Sequence, residues 1–426
     1  MNFRKVKDGT GAAFDKIRKN DFIKNVLRVL INGGYLYVLT FINSVLIART
    51  IGPKGQGIVS YANTLGGMAV HLIGGGLDLA DRYYVARNKN DLPGILGNTM
   101  ALFGLYMAAG GLFFLVTFAF NVTFDISGFL LILLIARVPL ETIGLQMQGM
   151  LLGLTEVSLY NRSKRITGFL YSMFVFIFWI SGVISPVLVL LSAFIAYLAS
   201  FGMMLFALCK RCAIRMNLNA GLFRSMLPYG FKSYIGVLFN YFLLRSDVLM
   251  VDYFMGKYQT GLYSTASSLA NILLTLTSSV ALLLTTRLIE LPSEEARFKF
   301  ENRIICTVSV LMAFVVLAVT VFSGWAIQVF YGMQYKDSAF VFRVLMPGIF
   351  CWGLNSIISS YLAAVNQLNI TIVASAAAFF FNLVLNYYLI RRFGIVGAGI
   401  ASSLAYLTDV AIRGIYYFKL YKGCKK

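Results

Sequence analysis

Charge is scarce in this chain. Asp, Glu, Lys and Arg make up 13% of its 426 residues, against about a quarter in soluble domains, while hydrophobic residues reach 59%. With a mean hydropathy of +0.77 this excludes an ordinary soluble fold. Histidine is nearly absent: His71 stands alone, which rules out a histidine metal cluster and leaves a hydrogen-bonded packing role for it inside a helix, with a proton carrier as the alternative. Five cysteines include one CxxC, Cys209 and Cys212, with no second pair, so neither a zinc site nor a thioredoxin-like motif is expected. No Walker motif is present and no extramembrane domain interrupts the apolar runs, so ATP hydrolysis by the chain itself is not expected. Acidic residues number 17 against 37 basic ones, a net charge of +20. The basic residues are scattered over loops beside apolar segments, which fits anchoring on anionic lipid and not nucleic acid.

What is present is a series of apolar runs of about 20 residues, long enough to cross the hydrocarbon core as helices. Twelve are expected, near 26–49, 58–80, 95–120, 126–153, 166–184, 186–209, 229–254, 262–289, 304–331, 340–365, 368–390 and 395–418. The fold class is therefore all-α integral membrane. Alternate loops and both ends hold 27 of the 37 Lys and Arg, which places the two termini in the cytoplasm. The first span is too long and too polar for a cleavable signal peptide, so it is expected to stay attached.

The second half repeats the first. Subtracting 204 lays Lys232 on Arg28, Tyr241 on Tyr37 and Asp247 on Asn43; the turn MGKYQTG (255–261) falls on IGPKGQG (51–57), and Ser264 falls on Ser60. Glycines at both ends of each turn allow a tight reversal between helices, and internal repeats of this kind mark transporters. The expected organisation is a basic cytoplasmic arm (1–25), an N-terminal lobe (26–209), a linker (210–228), a C-terminal lobe (229–418) and a basic tail (419–426).

Polar residues at helical spacing should face other helices or a wet cavity, because a polar group in hydrocarbon is costly. In span one the stripe is Arg28, Asn32, Tyr35, Leu39 and Asn43. In span four, Arg137 and Glu141 lie one turn apart as an internal ion pair, with Pro139 between them predicting a kink. Span seven carries Arg245 and Asp247 about 200° apart, so they cannot simply pair, and Arg245 needs a partner elsewhere. Spans eleven and twelve carry Thr371, Ser375, Ala378, Asn382 and Asn386, then Ser402, Tyr406, Asp409 and Arg413. Asp247, Asn382, Asn386 and Ser402 are the candidate cation-coupling oxygens; as interhelical hydrogen-bond glue they would look the same. Asp409 and Arg413 are a cavity polar or ion pair, as are Arg137 and Glu141. No cofactor is expected beyond coupling to Na+ or H+.

The segments LIARTIGPKGQGIVSYANTL, GGGLDLADRYYVAR, LRSDVLMVDYFMGKYQTGLYSTASSLA and FNLVLNYYLIRRFGIVGAGIASS, in this order and spacing, resemble the polysaccharide and oligosaccharide flippases (Wzx-type, including O-antigen translocases) of the multidrug/oligosaccharidyl-lipid/polysaccharide exporter superfamily. DLADRYY departs from the pattern in having its arginine, Arg82, shifted by one. The resemblance implies a MATE-like fold, two pseudo-symmetric six-helix lobes facing a central cavity, and alternating access. It implies a transporter, not an enzyme. It further implies an undecaprenyl-diphosphate oligosaccharide moved to the outer leaflet of the plasma membrane (the bacterial inner membrane), with glycosyltransferases and a glycan polymerase as partners.

A diphosphate and sugars need a basic, wet cavity. Arg28 and Lys232, repeat-equivalent, are the candidate residues that attract the diphosphate at the cytoplasmic mouth, with Arg245 holding it deeper; snorkelling anchors are the alternative for the first two. Two other functions compete: a multidrug or small-molecule cation antiporter, and a glycan-processing enzyme using Asp252 and Asp337 outside.

Overall fold

The computed structural model describes residues 34–119, 128–211 and 218–422, apart from the side chains at 233, 275, 276, 279, 282 and 286. The arm 1–25, Arg28, Asn32, Cys212 and the end of the tail lie outside the described residues. The described chain is helical with no strand: α1 (Phe3–Gly74), α2 (Leu77–Arg87), α3 (Leu92–Ala101), α4 (Phe103–Ala119), α5 (Gly128–Gly153), α6 (Val157–Ile180), α7 (Pro186–Cys209), α8 (Ala220–Ile289), α9 (Glu294–Tyr331), α10 (Lys336–Ala364) and α11 (Leu368–Cys424).

Eight stretches are long and apolar enough to cross a membrane. Three of them, Gly34–Gly74, Tyr234–Leu274 and Leu368–Lys422, run 41, 41 and 55 residues. At 1.5 Å per residue a straight helix of ~40 residues would reach about 60 Å, twice the hydrocarbon thickness, so each must cross twice. Each bends once, at Gly52, Gly256 and Gly394, with φ of 66°, 78° and 61°. Only glycine adopts this backbone without strain, and the first two are the repeat-equivalent glycines of the sequence turns. With these three counted twice, the eight stretches give eleven crossings, and α6, whose polar start (Asn161, Arg162, Lys164, Arg165) gives way to an apolar run, stands at the remaining expected span without being one of the eight.

The later part of the linker 210–228 is itself helical, because Asn219 caps α8 by accepting from the Leu222 amide at 3.0 Å and the helix starts at Ala220. Helix α5 runs continuously through Pro139. One sequence expectation is corrected: among the described residues of the span-one stripe Asn43 is buried, but Tyr35 is exposed.

The lobes meet tightly around the bends at Gly52 and Gly256. A Cβ placed on Gly57 would stand 1.8 Å from the Lys257 carbonyl oxygen, and one on Gly261 would stand 1.8 Å from that of Pro53. Around this seam Arg49 Nε donates to the Phe330 carbonyl at 2.7 Å, Tyr335 donates to the Ala48 carbonyl at 3.1 Å, and Lys257 sits 3.3 Å from the centre of the Tyr61 ring while pairing with Asp252. The N-terminal lobe is held to the C-terminal lobe on this side by groups that would all have to part for it to open.

Candidate functional site: a polar cavity between the lobes

Between the lobes lies a cavity of about 560 Å³. Helix α1 supplies Thr40, Asn43 and Ser44 before its bend and Ser60, Asn63 and Thr64 after it; α8 supplies Tyr241 and Arg245 before its bend and Ser264, Ser267 and Ser268 after it. Adding 204 to Ser60, Asn63 and Thr64 gives Ser264, Ser267 and Ser268. The repeat thus presents the same i, i+3, i+4 face from both lobes, a polar triplet on each side of one cavity.

The charges in the cavity differ sharply in how they are held. Arg137 donates from Nε to Glu141 and from Nη1 to Asn63, both at 2.6 Å, and lies 5.1 Å from the centre of the Tyr197 ring. Its charge is spent inside the N-terminal lobe, as the sequence spacing indicates. Arg245 makes no hydrogen bond and no ion pair with any described residue. The partner expected for it elsewhere is missing, and it stands half-buried on the cavity wall as a cation with open donors. His71 also lines the cavity, with Nδ1 against the Tyr234 hydroxyl and its ring 4.0 Å from that of Tyr241. Gly67 permits this packing, since a Cβ there would meet the Tyr241 hydroxyl at 2.0 Å.

The other candidate residues fall in three places. Lys232 is exposed and outside the cavity lining, and Arg28 lies outside the described residues. Asp409 and Arg413 are buried within the C-terminal lobe and do not line the cavity. Arg413 Nε donates to Asp409 at 2.9 Å and Nη2 to Ser375 at 2.7 Å, while Asn355 donates to Asp409 at 2.7 Å. This network ties α10 to both halves of α11.

Asp247, Asn382, Asn386 and Ser402 come together in one cluster on α8 and α11. Asn386 donates to Asp247 at 2.5 Å and to Asn382 at 2.9 Å, Tyr263 donates to Asp247 at 2.9 Å, and Ser402 donates to the same carboxylate. All are buried. Asn386 Oδ1 and Asn382 Nδ2 have no partner, which leaves an orphaned amide oxygen beside a carboxylate. Carboxylate, amide and hydroxyl oxygens are the donor types a hard cation takes, so the cluster fits one.

Sequence reasoning missed Thr40, Ser44, Ser267 and Ser268. Their signal was the i, i+3, i+4 spacing around Asn43 and the repeat of the Ser60 face. Of the outer carboxylates, Asp252 is occupied by Lys257 and Thr260, and Asp337 is exposed at the start of α10, so they form no acid/base pair.

Comparison with known proteins agrees with this architecture. A family model described as polysaccharide biosynthesis protein matches residues 22–286, well over half of the chain. The chain belongs to this polysaccharide biosynthesis family. A probable low-salt glycan biosynthesis flippase, Agl15 of Haloferax volcanii, is 26% identical over 196 residues, 45% of this chain and 42% of that protein. The match thus spans less than half of that relative's length. Among solved structures, an inward-facing multidrug resistance MATE family transporter of the MOP superfamily superposes with a TM-score of 0.73 at 12% identity, covering 92% of this chain and 95% of that one. The lipid II flippase MurJ in an inward closed conformation gives 0.74 at 14% identity, covering 92% and 87%. At such identities the two structures speak for the fold, and they give the family member the all-α, multi-pass transporter fold implied by its sequence.

Proposed function

We propose that this member of the polysaccharide biosynthesis family is a flippase for undecaprenyl-diphosphate-linked oligosaccharide, carrying it from the cytoplasmic to the outer leaflet of a bacterial inner membrane. Arg245 carries the reading. A cation without a counter-charge in a low-dielectric cavity is stabilised by an anionic ligand, and guanidinium is suited to phosphate oxygens through paired donors. Around it, the hydroxyl and amide faces Ser60, Asn63, Thr64 and Ser264, Ser267, Ser268 supply donors and acceptors that replace sugar hydration. With the outer seam closed, the cavity is in a state that receives substrate from the cytoplasmic side, and parting of the Gly57–Gly261 seam releases it outside.

Coupling to a cation gradient belongs to the same proposal, with Asp247, Asn382, Asn386 and Ser402 holding Na+. Those residues join α8 to α11, so an ion there would bias how the two helices pack. The ion itself supplies a positive charge against Asp247; the chain's oxygens select and release it. Glycosyltransferases and a polymerase acting before and after this step are the implied partners.

The cation-antiporter alternative finds less support in the cavity. Glu141, the carboxylate lining it among the described residues, is consumed by Arg137, and Arg245 would repel a cationic drug. The test is flipping of a labelled lipid-linked oligosaccharide by Arg245→Ala and Arg245→Lys in proteoliposomes: loss in the first with partial retention in the second supports the assignment, and undiminished flipping by Arg245→Ala overturns it.

A further inference from the structure

The N-terminal lobe holds a second buried acidic site that the cavity and the Asp247 cluster leave unused. Helix α1 ends at Gly74, and Gly75 and Gly76, with φ of 56° and 77°, set off the short helix α2 beyond it, outside the membrane-crossing stretches. One face of α2 lies directly on α5: a Cβ on Gly149 would stand 2.3 Å from the Asp78 carbonyl oxygen and one on Gly153 2.7 Å from that of Arg82. Its start lies on α8, where a Cβ on Gly76 would stand 2.4 Å from Tyr234 Cβ. Helix α2 is therefore wedged between the two lobes on the side opposite the closed outer seam.

Asp81 shares the α5-facing side of α2, three residues after Asp78 and one before Arg82. It is 2% exposed, and its Oδ2 has no hydrogen-bond partner. On the α5 face that meets α2, one and two turns before Gly149, stand Gln146 and Thr142, whose Oε1 and Oγ1 are buried and equally without partners. Gln146 uses its amide nitrogen on the Tyr106 hydroxyl at 2.6 Å, so its carbonyl oxygen awaits a donor. The Asp81 carboxylate is thus buried with no described donor for its Oδ2, which a proton on the carboxyl would neutralise.

No cation among the described residues takes the place of that proton. The titratable groups facing this site are Asp78 on α2 itself, Tyr106 from α4 and Tyr234 from α8; α5 has none between Glu141 and Glu156, and α3 has none at all. Arg82 on α2 is exposed and forms no ion pair with any described residue. Burial and the neighbouring Asp78 push the Asp81 carboxyl well above the usual carboxylate range. The site is also connected to the cavity, since Tyr234, which lies within electrostatic reach of Asp78, bonds His71 on the cavity wall.

We propose that Asp81 is a proton-carrying site of the N-terminal lobe, loaded when α2 is packed between α5 and α8 and discharged to the cytoplasm when it is not. On discharge the Oδ2–H bond breaks with its electron pair remaining on oxygen, and the proton passes to water. The carboxylate then shares one face with Asp78, and their repulsion disfavours the packed seam. Proton occupancy thus sets the position of α2, and through it the packing of the two lobes. The coupling role rests on the transport reading; the proton itself does not.

The experiment is infrared spectroscopy of the purified full chain through a pH titration, paired with flipping of labelled undecaprenyl-diphosphate oligosaccharide in proteoliposomes under imposed pH gradients. The wild type should show, at neutral pH, a protonated-carboxyl carbonyl band that Asp81→Asn lacks. Its substrate distribution should shift by up to about tenfold per unit of pH gradient for one coupled proton, while Asp81→Asn gives equal distributions with and without the gradient. Identical spectra of wild type and variant overturn the proposal. If Asp81→Asn does not fold, Asp81→Glu decides: the longer side chain should shift the band, and an unshifted band overturns the site. Absence of any flipping by the wild type would sink the transport reading while the spectra still decide the proton.

Discussion

Gly57 and Gly261 pack onto each other's helix across the repeat axis, each against the carbonyl of the residue equivalent to the other's contact, Lys257 for Gly57 and Pro53 for Gly261. The lock between the lobes is therefore made of backbone from both repeats, and no side chain can be added to either without moving the lobes.

Replacing either glycine by alanine should therefore destabilise the closed outer seam and leave the helices intact. The expected effect of Gly57→Ala is a shift toward the outward-open state with flipping lowered by about tenfold or more, since a bias of ~1.4 kcal/mol already changes a two-state ratio tenfold. Labelling of a cysteine placed at Ser264, in a background without native cysteines, by a membrane-impermeant reagent reads this directly. Equal labelling with and without the Gly57→Ala change would contradict it.

Arg245→Ala should keep normal protein levels, because the arginine has no partner among the described residues to strand. Its cost should fall on transport, by about 10- to 100-fold if a desolvated charge contact of roughly 2 kcal/mol or more is lost. Arg137→Ala should behave in the opposite way, lowering stability by leaving Glu141 without its counter-charge. Protein yield and flipping rate measured side by side separate the two.

Arg413→Ala should destabilise the C-terminal lobe by about 3–5 kcal/mol, the usual cost of removing one partner of a buried pair. Asp409→Asn with Arg413→Gln should recover part of this. Thermal unfolding in detergent checks the order: wild type, double variant, single variant.

The repeat and the charged cavity residues were legible in the sequence for simple reasons. Left-handed backbone at Gly52 and Gly256 demands glycine, and the same demand recurs 204 residues later. Arg137, Glu141, Arg245 and Asp247 stand out because charge in an apolar run is costly. The stripes of spans eleven and twelve pointed inward as periodicity indicates, with Ser375, Asn382, Asn386, Ser402, Asp409 and Arg413 all buried. Periodicity gives a face but not the neighbour that meets it. Hence the span-one stripe runs through exposed Tyr35 while the cavity face is Thr40, Asn43 and Ser44, and the i, i+4 spacing gives the Asp409–Arg413 ion pair but not the Ser375 and Asn355 partners that close its network. Short hydroxyl side chains such as Ser267 and Ser268 carry little signal, because in a helix they can satisfy themselves on their own backbone. Asp81 gave no signal either: its burial comes from the packing of α2 on α5 and α8, contacts across helices.

Asp247→Asn should remove any stimulation of flipping by sodium, since it replaces one carboxylate oxygen of the α8–α11 cluster by an amide nitrogen and cancels its charge. Flipping rates in sodium and in potassium of equal ionic strength test this. A sodium response that survives in Asp247→Asn would move the ion elsewhere.

The raised proton affinity of Asp81 has a consequence for stability. Between the ordinary carboxylate range and the higher value in the folded chain, the native state binds more protons than the unfolded one, so stability should fall as pH rises through that window. Asp81→Asn should flatten this part of the pH profile of thermal unfolding; an unchanged slope would contradict burial of a protonated carboxyl there.

The central claim is transport, and one measurement addresses it most directly: movement of a fluorescent undecaprenyl-diphosphate oligosaccharide across proteoliposomes that contain only this protein, with and without ion gradients. Protein-dependent translocation, lost in Arg245→Ala, is the predicted result. No translocation of any lipid-linked glycan, together with gradient-driven efflux of small cationic dyes, would contradict the account and favour the antiporter.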